Sequence, residues 1–202
     1  MWDTGFYLMY LLIFITNMSF NLLEYLKKNP LLEELPKDKW VDIAPDEKAE
    51  YAKDIFDLIN TAYAPIGGNL NYKSEADVLG SEADADYEVV NIDDDPEPDA
   101  LISYKEKDAG KKLTALGHDG SSQAKSKSLN RMASLLKQPG YYLEVSGKLQ
   151  DILLAKGAPV VKDKELIQKV LKGKKLEFNE DGTYKRFIGG EPHTKTLLGN
   201  PI

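Results

Sequence analysis

The feature that most constrains the fold is a set of strand-forming runs packed into a short stretch of chain. The runs cover residues 87–92, 100–104 and 112–116, and only short polar segments separate them. Parallel neighbours in a sheet need a crossover of about a dozen residues or more, whereas antiparallel neighbours need only a turn. The spacing therefore predicts successive antiparallel hairpins.

Helices are predicted both before and after these strands in the chain. Apolar residues recur at helical spacing over 47–64, and Pro65 with Gly67 and Gly68 ends the pattern. A short second helix, capped by Ser74, is expected next. The later elements are a helix carrying Leu129 to Leu136, a strand over 141–145, a helix capped by Ser146, a helix near 166–171 and a hairpin of 176–178 with 184–188. This order predicts an α/β domain (α+β, mixed) in which helices cover a mixed sheet.

Composition places the chain among ordinary soluble globular proteins. Of its 202 residues, 42% are hydrophobic and 29% are charged, which suits one domain with an appendage. The formal charge of −7 argues against sequence-independent binding to nucleic acid and slightly favours neutral or cationic substrates. The lack of cysteine agrees with a reducing compartment, so we expect a cytoplasmic protein. Two histidines without cysteine predict no metal site.

The first 17 residues need an explanation of their own. Residues 6–15 form an unbroken apolar run, which is too short for a membrane helix of about 20 residues. The segment has neither the basic start nor the cleavage site of a signal peptide, so none is predicted. Met18 begins an ordinary amphipathic helix, so residues 1–17 can be an upstream extension from a misplaced start. The alternatives are an interfacial anchor and a helix docked on a partner. We expect residues 18–40 to form a helix and linker, residues 41–202 to form the domain, and membrane association not to be firm.

An anion site is predicted where the third strand leads into the next helix. The segment Gln123 to Met132 is interpreted as lying between that strand and that helix. Exposed backbone N–H groups and the helix dipole can hold a pyrophosphate at such a turn. We expect the amides that open the segment to be free for this contact.

The same turn resembles a motif of the GNAT superfamily, the acyl-CoA-dependent N-acetyltransferases. That family carries Gln/Arg-x-x-Gly-x-Gly/Ala at this turn, and Gln123, Ser126 and Ser128 fall at its three defining positions. Serines thus replace the glycines. The element order agrees with the family from about Asp42 to Phe187, and small GNAT-like proteins of tailed phages look similar.

A second likeness to the family lies further along the chain. GNAT domains follow this helix with a strand and a helix that ends in a Tyr-x-x-x-Gly-Phe-like segment. Gly157 matches the glycine, whereas Leu153 occupies the place of the tyrosine that often protonates the departing CoA thiolate. The Gly67-Gly68 loop resembles the substrate-facing loop of the family by position, or it is simply a turn.

The resemblance implies a fold, a co-substrate and a set of contacts. The fold is a central mixed, mostly antiparallel sheet flanked by helices, with an N-terminal helical extension. Acetyl-CoA is expected as a substrate, without a metal, and an amine of a small molecule or protein as the acceptor. The pantetheine arm is expected along Thr114, Ala115 and Leu116, and the pyrophosphate on Gln123, Ala124, Lys125, Ser126, Lys127 and Ser128. Lys125 and Lys127 either supply charge to the phosphates or are surface lysines.

His118 is the candidate catalytic residue. An amine must lose a proton to attack a thioester, and an imidazole with an ordinary pKa of about 6.5 suits a general base. The alternative is a loop histidine without a role, and His193 is expected to be structural or solvated. The carboxylates of residues 93–99 lack calcium-loop spacing. They are interpreted as a solvated turn, with attraction of a cation or polyamine as the alternative.

Three functions are compatible with these features. The first is an N-acetyltransferase. The second is a catalytically inactive GNAT-fold binding or assembly protein, which Ser126, Ser128 and Leu153 favour; here the apolar N-terminal segment would join a homo-oligomer or a protein partner. The third and weakest is a protein that binds a nucleotide or phosphate ligand at the same turn. No nucleic acid partner is expected.

Overall fold

The computed structural model describes residues 37–64, 73–93 and 97–202, and the expectations for residues 1–36 lie outside them. The helices are α1 (Lys48–Tyr63), α2 (Ala76–Leu79), α3 (Ser122–Leu136), α4 (Gly147–Ala155) and α5 (Lys164–Val170). The strands are β1 (Val41–Asp42), β2 (Asp86–Val90), β3 (Ala100–Lys107), β4 (Gly110–His118), β5 (Tyr141–Val145), β6 (Leu176–Phe178), β7 (Tyr184–Ile188) and β8 (Glu191–Gly199).

The described strands form one sheet in the order β1-β2-β3-β4-β5-β8-β7-β6. The pairs from β1 to β4 are antiparallel, as the short connections predict. The pairs that join β5, β8, β7 and β6 are antiparallel as well. Only the central pair, β4 with β5, is parallel. The predicted mixed, mostly antiparallel sheet flanked by helices is confirmed.

The central parallel pair is short. It consists of Lys111 opposite Tyr141 and Lys112 opposite Tyr142, although β4 continues to His118. Beyond these residues β4 still pairs with β3 but no longer with β5. The sheet therefore opens along the second half of β4.

Helices cover the sheet on both faces because its central strands are buried on both sides. Ile102 of β3 belongs to the apolar cluster with α3 and α4, whereas its neighbour Leu101 packs with α1. Likewise Leu143 of β5 packs with α3 and α4, and Tyr142 packs with α5. Successive strand residues point to opposite faces. Hence α1 and α5 lie on one face, and α3 and α4 lie on the other.

Three predicted details differ from the structure. α3 begins at Ser122 because the Ser121 hydroxyl caps it, so the helix includes most of the segment interpreted as its preceding turn. Ser74 does not cap α2: Glu75 is the capping residue, and the Ser74 amide donates to the Asp77 carboxylate. The C-terminal hairpin gains a third strand, β8, which no sequence pattern indicates.

Gly117 sets the distance between α1 and β4. A Cβ atom at this position would lie 2.8 Å from Leu101 Cγ and 3.0 Å from the backbone carbonyl carbon of Leu58 in α1. Both distances are shorter than ordinary van der Waals contact, so a side chain would force the helix away from the strand. The absence of a side chain thus allows α1 to approach the open half of β4 at Leu58.

We expect Gly117→Ala to lower the free energy of unfolding by about 1–3 kcal/mol, because overpacked cores must shift backbone or side chains. Urea denaturation measures the change. Ser126→Ala, on the exposed side of α3, is the control and should stay within about 0.5 kcal/mol of the wild type. An unchanged midpoint for Gly117→Ala would mean that α1 does not press on β4.

Candidate functional site

The opening between β4 and β5 leads into a cavity of about 210 Å³. Its walls come from the end of α1, the second half of β4 and the first turns of α3 and α4. The lining residues are Ala62, Tyr63, Leu116, His118, Lys125, Leu129 and Leu149. We call this cavity the cleft. A mostly apolar wall with a few polar side chains is typical of a site for a small molecule.

A backbone donor of β4 faces the cleft. The N–H of Leu116 donates to the hydroxyl of Tyr63 at an N···O distance of 3.5 Å. Such a distance lies well beyond the usual 2.9–3.0 Å of an amide hydrogen bond. The amide therefore points into the opened side of the strand and is held there by a weak contact.

The N-terminus of α3 borders the cleft, and several of its amides are already engaged. The Gly120 amide donates to Nδ1 of His118 at 3.1 Å, and the Ser121 amide donates to the Asp119 carboxylate at 2.7 Å. The Ala124 amide donates to the Ser121 hydroxyl at 3.0 Å. Side chains of the turn thus already accept hydrogen bonds from three of its amides. One of these acceptors, Asp119, also places a negative charge at the turn.

Two amides at this N-terminus remain open. Neither the Ser122 nor the Gln123 N–H has a hydrogen-bond partner among residues 37–64, 73–93 and 97–202. First-turn amides of a helix lack intrahelical acceptors and attract anions. The expectation of free amides therefore holds for this pair only.

Comparison with known proteins gives a match at the level of structure. No family model matches the sequence, and no curated protein matches it. An aminoglycoside 6'-acetyltransferase type Ii superposes with a TM-score of 0.50 and 11% identity, over 81% of this chain and 96% of that chain. The chain has the GNAT fold.

Other solved structures match less well. An acetyltransferase from Thermus thermophilus is 16% identical, with a TM-score of 0.43 over 84% of this chain and 99% of that one. An acyl-CoA N-acyltransferase from Pseudomonas aeruginosa is 13% identical, with a TM-score of 0.43 over 79% and 98%. The aminoglycoside 6'-acetyltransferase match confirms the predicted GNAT fold, and an identity of 11% shows the fold alone.

The GNAT fold distributes the residues predicted for the pyrophosphate over several sides of α3. Lys125 lines the cleft, whereas Lys127 points elsewhere and forms an ion pair with Asp38 at 2.6 Å. Ser128 is fully buried and donates to the Lys125 carbonyl. Ser126 and Gln123 are exposed, and Ala124 is buried. Of this set, the side chain of Lys125 and the amide of Gln123 remain candidates for contact with a ligand.

The predicted pantetheine strand contributes one side chain to the cleft. Leu116 lines it, while Ala115 packs with α1 on the opposite face. The Thr114 hydroxyl lies 2.7 Å from the Ser103 hydroxyl of β3. Alternation along β4 explains why neighbouring residues have different environments.

His118 lines the cleft, as its predicted role requires, but its hydrogen bonding favours another role. Its side chain is nearly buried, and burial lowers its pKa, with the nearby charge of Lys125 acting in the same direction. The imidazole is therefore neutral at pH 7. Because Nδ1 accepts the Gly120 N–H, the single proton belongs on Nε2. The ring thus presents a donor, rather than a basic nitrogen, at Nε2.

A phenol does line the cleft, although not at the position that the resemblance indicates. Leu153 is fully buried in the apolar core under α4. Tyr63, at the end of α1, lines the cleft instead. The apolar periodicity of residues 47–64 indicates only that Tyr63 belongs to the apolar stripe of α1. Its place directly before Pro65, Gly67 and Gly68 in the sequence is the signal that could have indicated a role; the expectation for Gly67 and Gly68 themselves lies outside the described residues.

Carboxylates surround a neighbouring cavity of about 270 Å³ between α1 and the connection from β2 to β3. The acidic lining residues are Asp54, Asp57, Asp93, Glu97, Asp99 and Asp119. Asp99 is buried and accepts from the Ile92 amide, so the predicted solvated turn is wrong for this residue. Burial, followed by the charge of Glu97, raises the pKa of Asp54. Residues 94–96 lie outside the described chain.

Within the described ranges, no group of three or more His, Asp or Glu side chains is arranged to hold a metal ion. The helices of the same residues include none with the length and apolarity needed to cross a membrane.

We expect the low pKa of His118 to appear in the pH dependence of stability. The pKa of this histidine is lower in the folded chain than in the unfolded chain, so the unfolded chain binds the proton first as pH decreases. The free energy of unfolding therefore falls as pH decreases from about 7 toward the folded pKa. His118→Gln should remove part of this slope, measured by urea denaturation at several pH values. His193→Gln, at an exposed position, should leave the slope unchanged. Equal slopes for all three proteins would contradict a buried, neutral imidazole.

Proposed function

We propose that the chain is an acetyl-CoA-dependent N-acetyltransferase that acetylates an amine of a small molecule or protein. The observation that carries the proposal is the opening between β4 and β5. It places a mainly apolar cleft next to the open amides of α3. A thioester with a long apolar arm and a charged diphosphate has the same division into apolar and anionic parts.

The proposed contacts follow from this division. The pantetheine arm lies against Leu116, Leu129 and Leu149, which supply apolar surface. The diphosphate lies at the Ser122 and Gln123 amides, with the ammonium group of Lys125 nearby. The carboxylate of Asp119 at the same turn repels the diphosphate.

The proposed chemistry uses the donors of the cleft. The amine nitrogen bonds to the thioester carbonyl carbon, and donors aimed at the developing oxyanion stabilise it. The Leu116 amide, once its weak contact with Tyr63 is released, and Nε2–H of His118 are the candidate donors. As the C–S bond breaks, the Tyr63 hydroxyl protonates the thiolate and regains its proton from solvent. The amine proton leaves through water, since neutral His118 holds its own proton at Nε2.

The acidic cavity beside the cleft supports a cationic acceptor. Six carboxylates line it together with the single cation Lys53. The resulting negative potential raises the local concentration of positively charged molecules. Asp119 and His118 are adjacent in the chain and lie one in each cavity wall. A polyamine or an aminoglycoside is therefore a better first candidate than a neutral amine.

Isothermal titration with acetyl-CoA tests the binding part of the proposal. Lys125→Gln should weaken affinity about tenfold, because it removes a cation close to the diphosphate. Lys127→Gln is the matched control, since Lys127 pairs with Asp38 away from the cleft, and it should leave affinity unchanged. No heat at millimolar acetyl-CoA in a folded sample would overturn the proposal.

Tyr63→Phe tests the chemical part. It should lower kcat about 100-fold, a usual contribution of a general acid, while the affinity for acetyl-CoA changes little. Thiol release with polyamine, aminoglycoside and lysine-peptide acceptors measures the rate, and the chain itself contains no cysteine to disturb the assay. Tyr141→Phe, a phenol that packs against Tyr104 outside the cleft, is the control. Equal rates for wild type and Tyr63→Phe would exclude the assigned acid.

A catalytically inactive binding protein with the GNAT fold is the second candidate. The observations that favour it are the engaged amides of Gly120, Ser121 and Ala124 and the carboxylate of Asp119 at the proposed diphosphate site. Absence of acetyl-CoA binding together with a change from oligomer to monomer on removing residues 1–17 would select it. Light scattering after size exclusion measures that change.

A further inference from the structure

A second cavity, of about 520 Å³, lies on the face of the sheet that carries α5. We call it the basic cavity. Its walls come from the hairpin between β3 and β4, from β5, from α5 with the following turn, and from β7. Its basic lining residues are Lys107, Lys112, Lys169, Lys172, Lys174 and Arg186, against the acidic Glu106 and Asp108. A net positive wall is notable in a chain whose formal charge is −7.

Half of these cations are already paired. Lys107 lies 3.6 Å from the Asp84 carboxylate, and Lys172 lies 3.4 Å from that of Asp108. Arg186 forms an ion pair with Glu144 of β5. These pairs leave little charge for a ligand.

The other half are not paired. The ammonium groups of Lys112, Lys169 and Lys174 have no ion pair or hydrogen bond within the part of the chain that the structure describes. Burial lowers the pKa of Lys112; Arg186, Lys174 and Lys107 add to this effect, and Glu144 opposes it. Like charges gathered around one space repel each other, and an anion between them relieves the repulsion.

A neutral donor completes the wall. Tyr142 lies opposite Lys112 in the β4–β5 pair, so both side chains occupy this face. The residue is 2% exposed and lines the cavity. Its hydroxyl has no hydrogen-bond partner in residues 37–64, 73–93 and 97–202. A phenol remains protonated at pH 7, so the hydroxyl can donate a hydrogen bond to a ligand in the cavity.

We propose that the basic cavity binds a small phosphate-bearing molecule, which Lys112, Lys174 and Lys169 contact through its charges and Tyr142 through a hydrogen bond. The volume fits a compact ligand of this kind. A nucleic acid would need a basic surface that extends along its backbone, whereas these lysines line a single cavity. The proposal is independent of the acetyltransferase assignment, because the basic cavity and the cleft share no lining residue.

Titration calorimetry with inorganic pyrophosphate at low salt tests the proposal. The double variant Lys112→Gln with Lys174→Gln should bind at least about tenfold more weakly than the wild type. Lys185→Gln is the matched control: Lys185 lies on β7 next to Arg186, is exposed and points to the other face. This control should bind like the wild type. Lys125→Gln is measured alongside it to identify any separate binding of pyrophosphate at the N-terminus of α3.

Two further variants cover the case in which the double variant does not fold. Lys169→Gln changes an exposed helical residue, and Tyr142→Phe removes only the hydroxyl. Each should weaken binding several-fold, with unchanged circular dichroism.

Several outcomes would overturn the proposal. They are no heat with the wild type at millimolar pyrophosphate, equal weakening in Lys185→Gln, or loss of binding only in Lys125→Gln. Tighter binding of a short single-stranded oligonucleotide that depends on the same lysines would likewise replace the small ligand with a nucleic acid. Weakening confined to the variants of the basic cavity supports the proposal.

Discussion

Strands β4 and β5 run parallel, yet they share only the pairs of Lys111 with Tyr141 and Lys112 with Tyr142. Beyond this point β3 pairs with only one edge of β4, so the backbone groups that point to the other edge have no strand partner among the described residues. The Leu116 amide is one such group, and it turns to Tyr63 for a partner. The cleft exists because the strands stop pairing, and its polar donors follow from the same interruption.

The packing of α1 depends on the same strand. Gly117 allows the helix backbone to lie directly on β4, and this contact carries Tyr63 to the rim of the opening. From the other face, α3 and α4 bring Leu129 and Leu149 to the cleft. Four packed elements form the cleft. Because protein interiors are close-packed, a shift of one element changes the contacts of the others.

The sequence predicts the order of elements better than it predicts their roles. Tyr141–Val145 is a strand with the expected bounds, because Tyr141, Tyr142 and Val145 have strong β propensity and clear turn signals precede and follow the run. β8 escapes notice because Leu197 and Leu198 are buried on opposite faces, so the strand shows no alternation. Among the site residues, sequence reasoning finds Leu116, His118 and Lys125, which are close together in the chain. It misses Tyr63 and Leu149, since only tertiary packing brings them to the cleft.

The N-terminus of α3 shows why a sequence motif for anion binding does not by itself establish a binding site. A helix has four orphan amides at its N-terminus, and a protein can satisfy them with its own side chains or leave them for a ligand. Here Ser121 satisfies the Ala124 amide, and Asp119 satisfies that of Ser121. Each internal bond stabilises the helix and removes one donor from an incoming anion. The negative charge of Asp119 further opposes the binding of an anion at this turn. Of the backbone amides there, those of Ser122 and Gln123 are left to contact an anion.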